Sequence, residues 1–227
     1  EYIEYPMKVN YARALKKALA LLTNYRKVGL VTTVQHVGQL AEIKKFLERN
    51  WKKVLIGRGK RAKYEGQILG CDFEAAASVA RDVDCFVYFG GGAFHPLGMR
   101  VHKPVLAVDP FSGGALWMDE EIKKLEKRRK FSMMRAAEAR TFGILVSTKI
   151  GQLALARAQK IKKIMEGKGR RAVILVSSEI NPEALKNFRA FECYINTACP
   201  RIADDYESFD HPVINYEDAI ALTRMLR

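Results

Sequence analysis

The chain is 227 residues long, 48% hydrophobic and 28% charged, a soluble globular composition with enough apolar material for one large core or two smaller ones. No run approaches the roughly 18–20 apolar residues that a membrane span needs, and the acidic, aromatic opening Glu1-Tyr2-Ile3-Glu4-Tyr5-Pro6 does not read as a signal peptide. Thirty-nine Lys and Arg against 25 Asp and Glu give a formal charge of +14, which by itself favours a nucleic-acid or ribonucleoprotein partner.

That charge is dispersed, and its densest stretches, Lys123 to Lys130 and Lys160 to Arg171, read as solvated helix faces or ends. In chain order, Lys8 to Thr23 is rich in alanine, leucine and lysine and predicts a helix. Val28 to Val31 predicts a short buried strand, followed by a polar turn through Thr32 to His36. Val37, Leu40, Ile43 and Leu47 then recur at helical spacing. A strand over Val54 to Ile56 ends in the basic glycine loop Gly57-Arg58-Gly59-Lys60. Next come Cys71 and an acid-led helix start, Asp72 to Ala77. Cys85 to Phe89 predicts another buried strand, closing on Gly90-Gly91-Gly92-Ala93-Phe94-His95-Pro96. Val105 to Val108 is the next strand, and Asp119 to Arg140 a long charged helix that connects to a second domain.

The second domain repeats the first. Phe142 to Val146 is a strand, Ser147-Thr148-Lys149 a polar turn, and a helix then turns Ile150, Leu153, Ala154, Ala158, Ile161 and Met165 inward. Gly143 answers Gly29, and Gly151-Gln152-Leu153 answers Gly38-Gln39-Leu40 with one residue of slippage. Val173 to Val176 answers Val54 to Ile56. A strand over Phe191 to Ile195 precedes the Cys199 segment, and a helix from about Glu217 closes the chain. The fold class expected is α/β: two homologous domains, 1–130 and 131–227, with mainly parallel sheets covered by helices.

Four cysteines, 71, 85, 193 and 199, show no disulfide-framework spacing, so a reducing cytoplasm is the expected compartment. Cys85 and Cys193 lie in apolar strands and read as core. Cys199 precedes Pro200, a residue favoured at the first helical position, and so reads as an N-cap thiol stabilised as thiolate by the helix dipole. With Cys71 in a similar setting, each copy presents a cysteine after its second predicted strand. We expect the two thiolates to meet at a metal. Two sulfurs alone make a poor site, and an iron–sulfur cluster with three cysteines leaves one iron open to an exogenous ligand. Zinc ligation by these cysteines and a histidine finds no supporting spacing. A dinucleotide-binding metabolic enzyme would carry GxGxxG after a strand, and the chain has none.

Four segments carry a more specific resemblance: Glu65-Gly66-Gln67-Ile68-Leu69-Gly70-Cys71, the Gly90 to Pro96 loop, Ser147-Thr148-Lys149 with Gly151-Gln152, and Asn196-Thr197-Ala198-Cys199-Pro200-Arg201. In this order and over nearly the whole chain they resemble the diphthamide-biosynthesis family, most closely its archaeal branch. The resemblance implies three homologous domains in a homodimer, each giving one cysteine to a [4Fe–4S] cluster. Cys71 stands at the second family cysteine and Cys199 at the third, with the first domain and its cysteine absent from this sequence. It also implies radical transfer of a 3-amino-3-carboxypropyl group from S-adenosylmethionine to a histidine of translation elongation factor 2. The glycine loop (Gly91, Gly92) with His95, the helix-opening Gln39 and Gln152, and Arg201 as a carboxylate partner become candidate S-adenosylmethionine contacts. For each the plainer reading stands beside it: a tight turn, a backbone-bonded histidine, ordinary helix initiation, a surface arginine. A basic α/β RNA-binding module without catalysis is the rival function; under the family reading no nucleic-acid or membrane partner is expected.

Overall fold

The computed structural model describes residues 5–226; residues 1–4, on which the signal-peptide reading rests, and residue 227 lie outside them. The chain divides into two compact units, Glu1–Lys123 and Lys124–Arg227, whereas the sequence pattern alone put the boundary at 130. The first unit runs α1 (Ala12–Leu21), β1 (Lys27–Thr32), a 3-10 helix (Val34–Gln39), α2 (Leu40–Arg49), β2 (Lys53–Leu55), α3 (Glu74–Ala77), β3 (Cys85–Phe89), α4 (Phe94–Gly98), β4 (Val105–Asp109) and β5 (Gly114–Trp117). Helix α5 (Asp119–Glu138) contains the division. The second unit continues with β6 (Thr141–Ser147), α6 (Leu155–Gly167), β7 (Arg171–Ser177), α7 (Pro182–Leu185), β8 (Cys193–Asn196), a 3-10 helix (Pro200–Ser208), β9 (Val213–Asn215) and α8 (Tyr216–Thr223).

The first sheet has the order β2-β1-β3-β4-β5 and the second β7-β6-β8-β9. All pairings are parallel except β4 with β5, a strand the sequence reading had not identified. The first four strands of each unit therefore share one order, with the chain reversing direction across the sheet between the first and third. Alternate residues of the central strands serve opposite faces, as the two-residue period of a strand requires. In the first unit Val28, Leu30, Cys85, Val87 and Phe89 face α1 and α2, while Val31, Phe86 and Tyr88 face Ala75, Ala76 and Met99. In the second, Phe142, Ile144, Val146, Cys193 and Ile195 pack with Ala136 of α5, Ala158, Ile161 and Met165 of α6, and Leu222 of α8. Leu145 and Tyr194 line the other face. Arg129 of α5 clamps Asp218 of α8 with both carboxylate oxygens engaged, its Nε lying 2.9 and 2.8 Å from them.

Two elements differ from the sequence reading. The second-unit helix begins at Leu155, so Ile150 and Leu153 are exposed instead of core-facing. Gly151, at φ +79, bends the chain before the helix, and Gln152 donates its backbone N–H to the Lys149 carbonyl, 3.0 Å away. The first-unit polar turn is instead a 3-10 helix that buries His36.

The matched glycines have a shared physical cause. Gly29 pairs directly with Phe86 of β3, and Gly143 directly with Tyr194 of β8. A Cβ at Gly29 would lie 2.4 Å from the Phe86 ring, and one at Gly143 2.7 Å from the Tyr194 ring. Only a bare backbone lets each aromatic lie flat across its neighbour. Substituting alanine at either position should lower the free energy of unfolding by about 1–3 kcal/mol, the usual cost of overpacking a tight core. Urea unfolding of Gly29→Ala and Gly143→Ala checks this.

Candidate functional site

In doubly wound sheets ligands bind beyond the carboxyl ends of the strands, where the strand order reverses. Each unit marks that point with a threonine hydroxyl reaching across the gap. Thr32, ending β1, donates to the Phe89 carbonyl of β3 at 2.5 Å. Thr197, just past β8, donates to the Leu145 carbonyl of β6 at 2.7 Å. Both threonines are buried.

Cys71 lies at this carboxyl end of the first unit. After β2 the chain returns alongside β1, where the Thr32 N–H donates to the Gly66 carbonyl at 2.8 Å and the Ile68 N–H to the Thr32 carbonyl at 2.8 Å. A tight reversal follows: Leu69 and Asp72 bond each other's backbones at 2.8 and 3.2 Å, leaving Gly70 and Cys71 at the corner. The Cys71 side of that corner is exposed. Asp72 accepts the Glu74 N–H at 2.9 Å and so starts α3. A Cβ at Gly70 would come within 2.6 Å of the Phe94 ring, so the cysteine corner abuts the residue just past the triple glycine.

That glycine loop is a built turn. Gly90 (φ +153) and Gly92 (φ +72) take conformations that L side chains rarely adopt. The Tyr88 hydroxyl lies 2.7 Å from where a Gly90 Cβ would sit and makes a long 3.4 Å bond to the Gly91 carbonyl. Burial, with Asp109 nearby, pushes that phenol up to about 12, so it remains a proton donor. Gly91 and Gly92 are exposed. His95 stacks on Tyr88 with ring centroids 6.0 Å apart and meets Phe94 edge-on at 5.2 Å.

Cys199 has a different support. It immediately precedes Pro200, as the sequence predicted, although the helix that follows is of the tighter 3-10 kind. Its carbonyl accepts the Asn196 amide at 2.8 Å. The same amide donates to Asn215 at 2.8 Å, and the Asn215 amide in turn donates to the Pro200 carbonyl at 3.0 Å. Asn196 also accepts the Ala198 N–H at 3.0 Å. Two buried asparagines ending neighbouring strands thus hold the cysteine turn from beneath. Asn215 escaped the sequence reading, though the repeated Ile-Asn pair at 195–196 and 214–215 signals it.

The two cysteines do not occupy equivalent places, contrary to the sequence reading. Cys71 follows β2 and precedes β3, whereas Cys199 follows β8, the counterpart of β3. The counterpart of the Cys199 turn in the first unit is the triple-glycine loop.

The other candidates are variously engaged. Gln39 is buried, its amide donating to the Val9 carbonyl at 2.9 Å and accepting the Val9 N–H at 3.3 Å. Gln152 is half-buried in the turn before α6. Arg201 pairs with Asp204 at 2.9 Å. Cys85 and Cys193 are fully buried core residues; burial pushes the Cys85 thiol up to about 12 and raises that of Cys193 as well. Sequence reasoning also passed over His36, which is 3% exposed beneath Phe89 and Phe111, with Nδ1 lacking a hydrogen-bond partner among the described residues. Burial lowers its pKa, against the opposing influence of Gln39, Met7 and Asp109.

A cluster held by cysteine thiolates fits this donor set in part. The chain offers one exposed thiol, Cys71, and one half-buried thiol, Cys199, and no group of three His, Cys, Asp or Glu residues placed to hold a metal occurs among the described residues.

Two measurements check these assignments. A thiol reagent at pH 8 should modify Cys71 and Cys199 in the folded protein and reach Cys85 and Cys193 only after denaturant is added, since both are buried and protonated. Because His36 has a lower pKa folded than unfolded, the unfolded chain binds more protons between the two values. Its contribution to stability is therefore complete above the ordinary value near 6.5 and falls as pH drops below it. The urea midpoint should decline from pH 6.5 to 5, less steeply in His36→Asn.

The family described as "Putative diphthamide synthesis protein" matches residues 1–226. The 2-(3-amino-3-carboxypropyl)histidine synthase of Pyrococcus horikoshii is 38% identical over 212 residues, covering 91% of this chain and 60% of that protein. Subunit 1 of the Gallus gallus enzyme is 30% identical over 200 residues, covering 86% of this chain and 48% of that protein. The crystal structure of Dph2 from Pyrococcus horikoshii with a 4Fe-4S cluster superposes with a TM-score of 0.86 at 33% identity, over 99% of this chain and 68% of that one. The chain thus spans between about half and two thirds of these relatives, and with its two mainly parallel sheets and motif order it belongs to the diphthamide synthesis protein family.

Proposed function

We propose that this chain is the second and third domains of a 2-(3-amino-3-carboxypropyl)histidine synthase, which transfers the 3-amino-3-carboxypropyl group of S-adenosylmethionine to a histidine of translation elongation factor 2. The observation that carries the reading is the partition of the four cysteines. Two are sealed in the cores at matching positions, and two lie on turns at carboxyl sheet ends, Cys71 exposed and Cys199 half-buried. Family membership and a relative solved with a 4Fe-4S cluster support it.

In this reading Cys71 and Cys199 are two ligands of a [4Fe–4S] cluster, and the third comes from a domain outside this sequence. When bound, the cluster supplies the electron that cleaves a C–S bond of S-adenosylmethionine, giving radical transfer. This chain's own residues do the positioning. Asn196 and Asn215 fix the Cys199 turn, the Leu69–Asp72 reversal fixes Cys71, and Tyr88 holds the glycine loop. Phe94 lies against Gly70, the neighbour of Cys71, and meets His95 edge-on, so His95, with Gly91 and Gly92 of the same loop, is the foremost S-adenosylmethionine candidate of the first unit. Gln152 and Arg201 belong to the same proposal in the second. Gln39 acts indirectly, by pinning Val9. The two units are repeats of one ancestral domain, the assembly is a homodimer, and the compartment is a reducing cytoplasm. Among the described residues no helix is long and apolar enough to cross a membrane.

Anaerobic supply of iron and sulfide to this chain tests the ligand assignment. Bound iron and broad visible absorbance should fall at least by half in Cys71→Ala and in Cys199→Ala and persist in Cys85→Ala and Cys193→Ala. Retention of the full signal in a Cys71→Ala/Cys199→Ala protein would overturn it. In the polypeptide that includes the upstream domain, the reaction is read by mass spectrometry as the aminocarboxypropyl adduct on elongation factor 2.

A further inference from the structure

At the amino end of the first sheet, opposite the end that carries Cys71, one residue takes an unusual conformation. Helix α2 closes with Trp51 at φ +64, its N–H donating to the Glu48 carbonyl at 3.1 Å and the next N–H, of Lys52, to the Leu47 carbonyl at 3.2 Å. This helix ending ordinarily employs glycine, because a side chain there meets its own backbone. Here it carries an indole that is 91% exposed. The conformation disfavours tryptophan and burial contributes nothing to offset it, so the side chain serves no packing need of this chain.

Its surroundings are cationic. Arg49 and Lys53 flank it and are exposed. Strand pairing adds two more: Lys53 stands in register with Lys27, and its N–H donates to the Arg26 carbonyl at 2.8 Å. None of these four has a carboxylate within ion-pair distance among the described residues. The nearby acids are otherwise engaged. Asp84 accepts the backbone N–H groups of Arg26 and Lys27 at 3.0 and 2.7 Å, bonds that lower its pKa, and Glu48 pairs with Lys44 at 3.8 Å. Lys52 is bound to the carbonyls of Leu22 and Tyr25 at 2.6 and 2.8 Å.

We propose that Trp51, with Arg26, Lys27, Arg49 and Lys53, is a binding surface for single-stranded nucleic acid: a base stacks on the indole and phosphates lie against the cations. Single-strand sites combine these two elements, and stacking requires only one open ring face. A tryptophan that anchors a protein interface sits instead within an apolar, charge-depleted centre, and Trp51 has Arg49, Asn50, Lys52 and Lys53 around it. The overall charge of +14 adds long-range attraction for a polyanion. The sequence reading kept nucleic acid only as the rival function and did not single out this surface; positions 26–27 and 49–53 come together only through the pairing of β1 with β2. This inference does not depend on the transferase reading.

Fluorescence titration of this chain with a single-stranded oligothymidylate of about ten nucleotides tests it. Binding should quench tryptophan emission and weaken with salt. Trp51→Gly should weaken binding by about tenfold while melting no lower than the parent, since glycine enters this backbone conformation freely. Lys27→Ala and Lys53→Ala should each make the affinity less salt-dependent. Equal affinity in Trp51→Gly, equal affinity for an abasic strand of the same length, or binding of polyglutamate that is itself lost in Trp51→Gly would overturn the proposal.

Discussion

The site rests on one close approach made twice. In each unit a glycine on the first strand lies directly against an aromatic ring on the third, Gly29 against Phe86 and Gly143 against Tyr194. Those strands are the pair across which the chain changes direction, so their spacing sets the width of the crevice at their carboxyl ends. A threonine hydroxyl then bridges that crevice in each unit. Packing in the sheet interior and the geometry at its rim are therefore one constraint.

From that shared frame the units diverge. The first covers its reversal point with a triple-glycine loop held by Tyr88 and places its cysteine on a separate corner before β3. The second places its cysteine directly after β8, on a turn locked by two asparagines. An approach of backbone to a ligand requires glycine; a thiol ligand requires a rigid turn that hides no sulfur. Buried Cys85 and Cys193 show the contrast, since desolvation keeps both thiols protonated. Accessibility, which composition cannot report, separates the two classes of cysteine.

Much of this was legible in the residues. Apolar runs such as Cys85–Phe89 are buried on both sides and could only be central parallel strands. The matched glycines pointed to duplication, and Cys71 and Cys199 stood out through flanking motifs found together in one family. Misreadings arose where local pattern competes with context. Ile150 and Leu153 have helical spacing with Ala158 and Ile161, yet Gly151 turns the chain before the helix can include them. The short strands β5 and β9 were not read from the sequence and take their place by pairing with β4 and β8.

The sequence by itself determined the fold class, most of the strand-bearing segments and the four cysteines, because burial patterns and turn chemistry are local and additive along the chain. Only the tertiary structure decided that Asn215 holds the Cys199 turn by bonding Pro200 from fifteen residues away, that Gln39 holds Val9, and that Trp51 stands among cations from two strands. Each of these depends on contacts between segments distant in the chain, which strand pairing and packing create and no local pattern encodes.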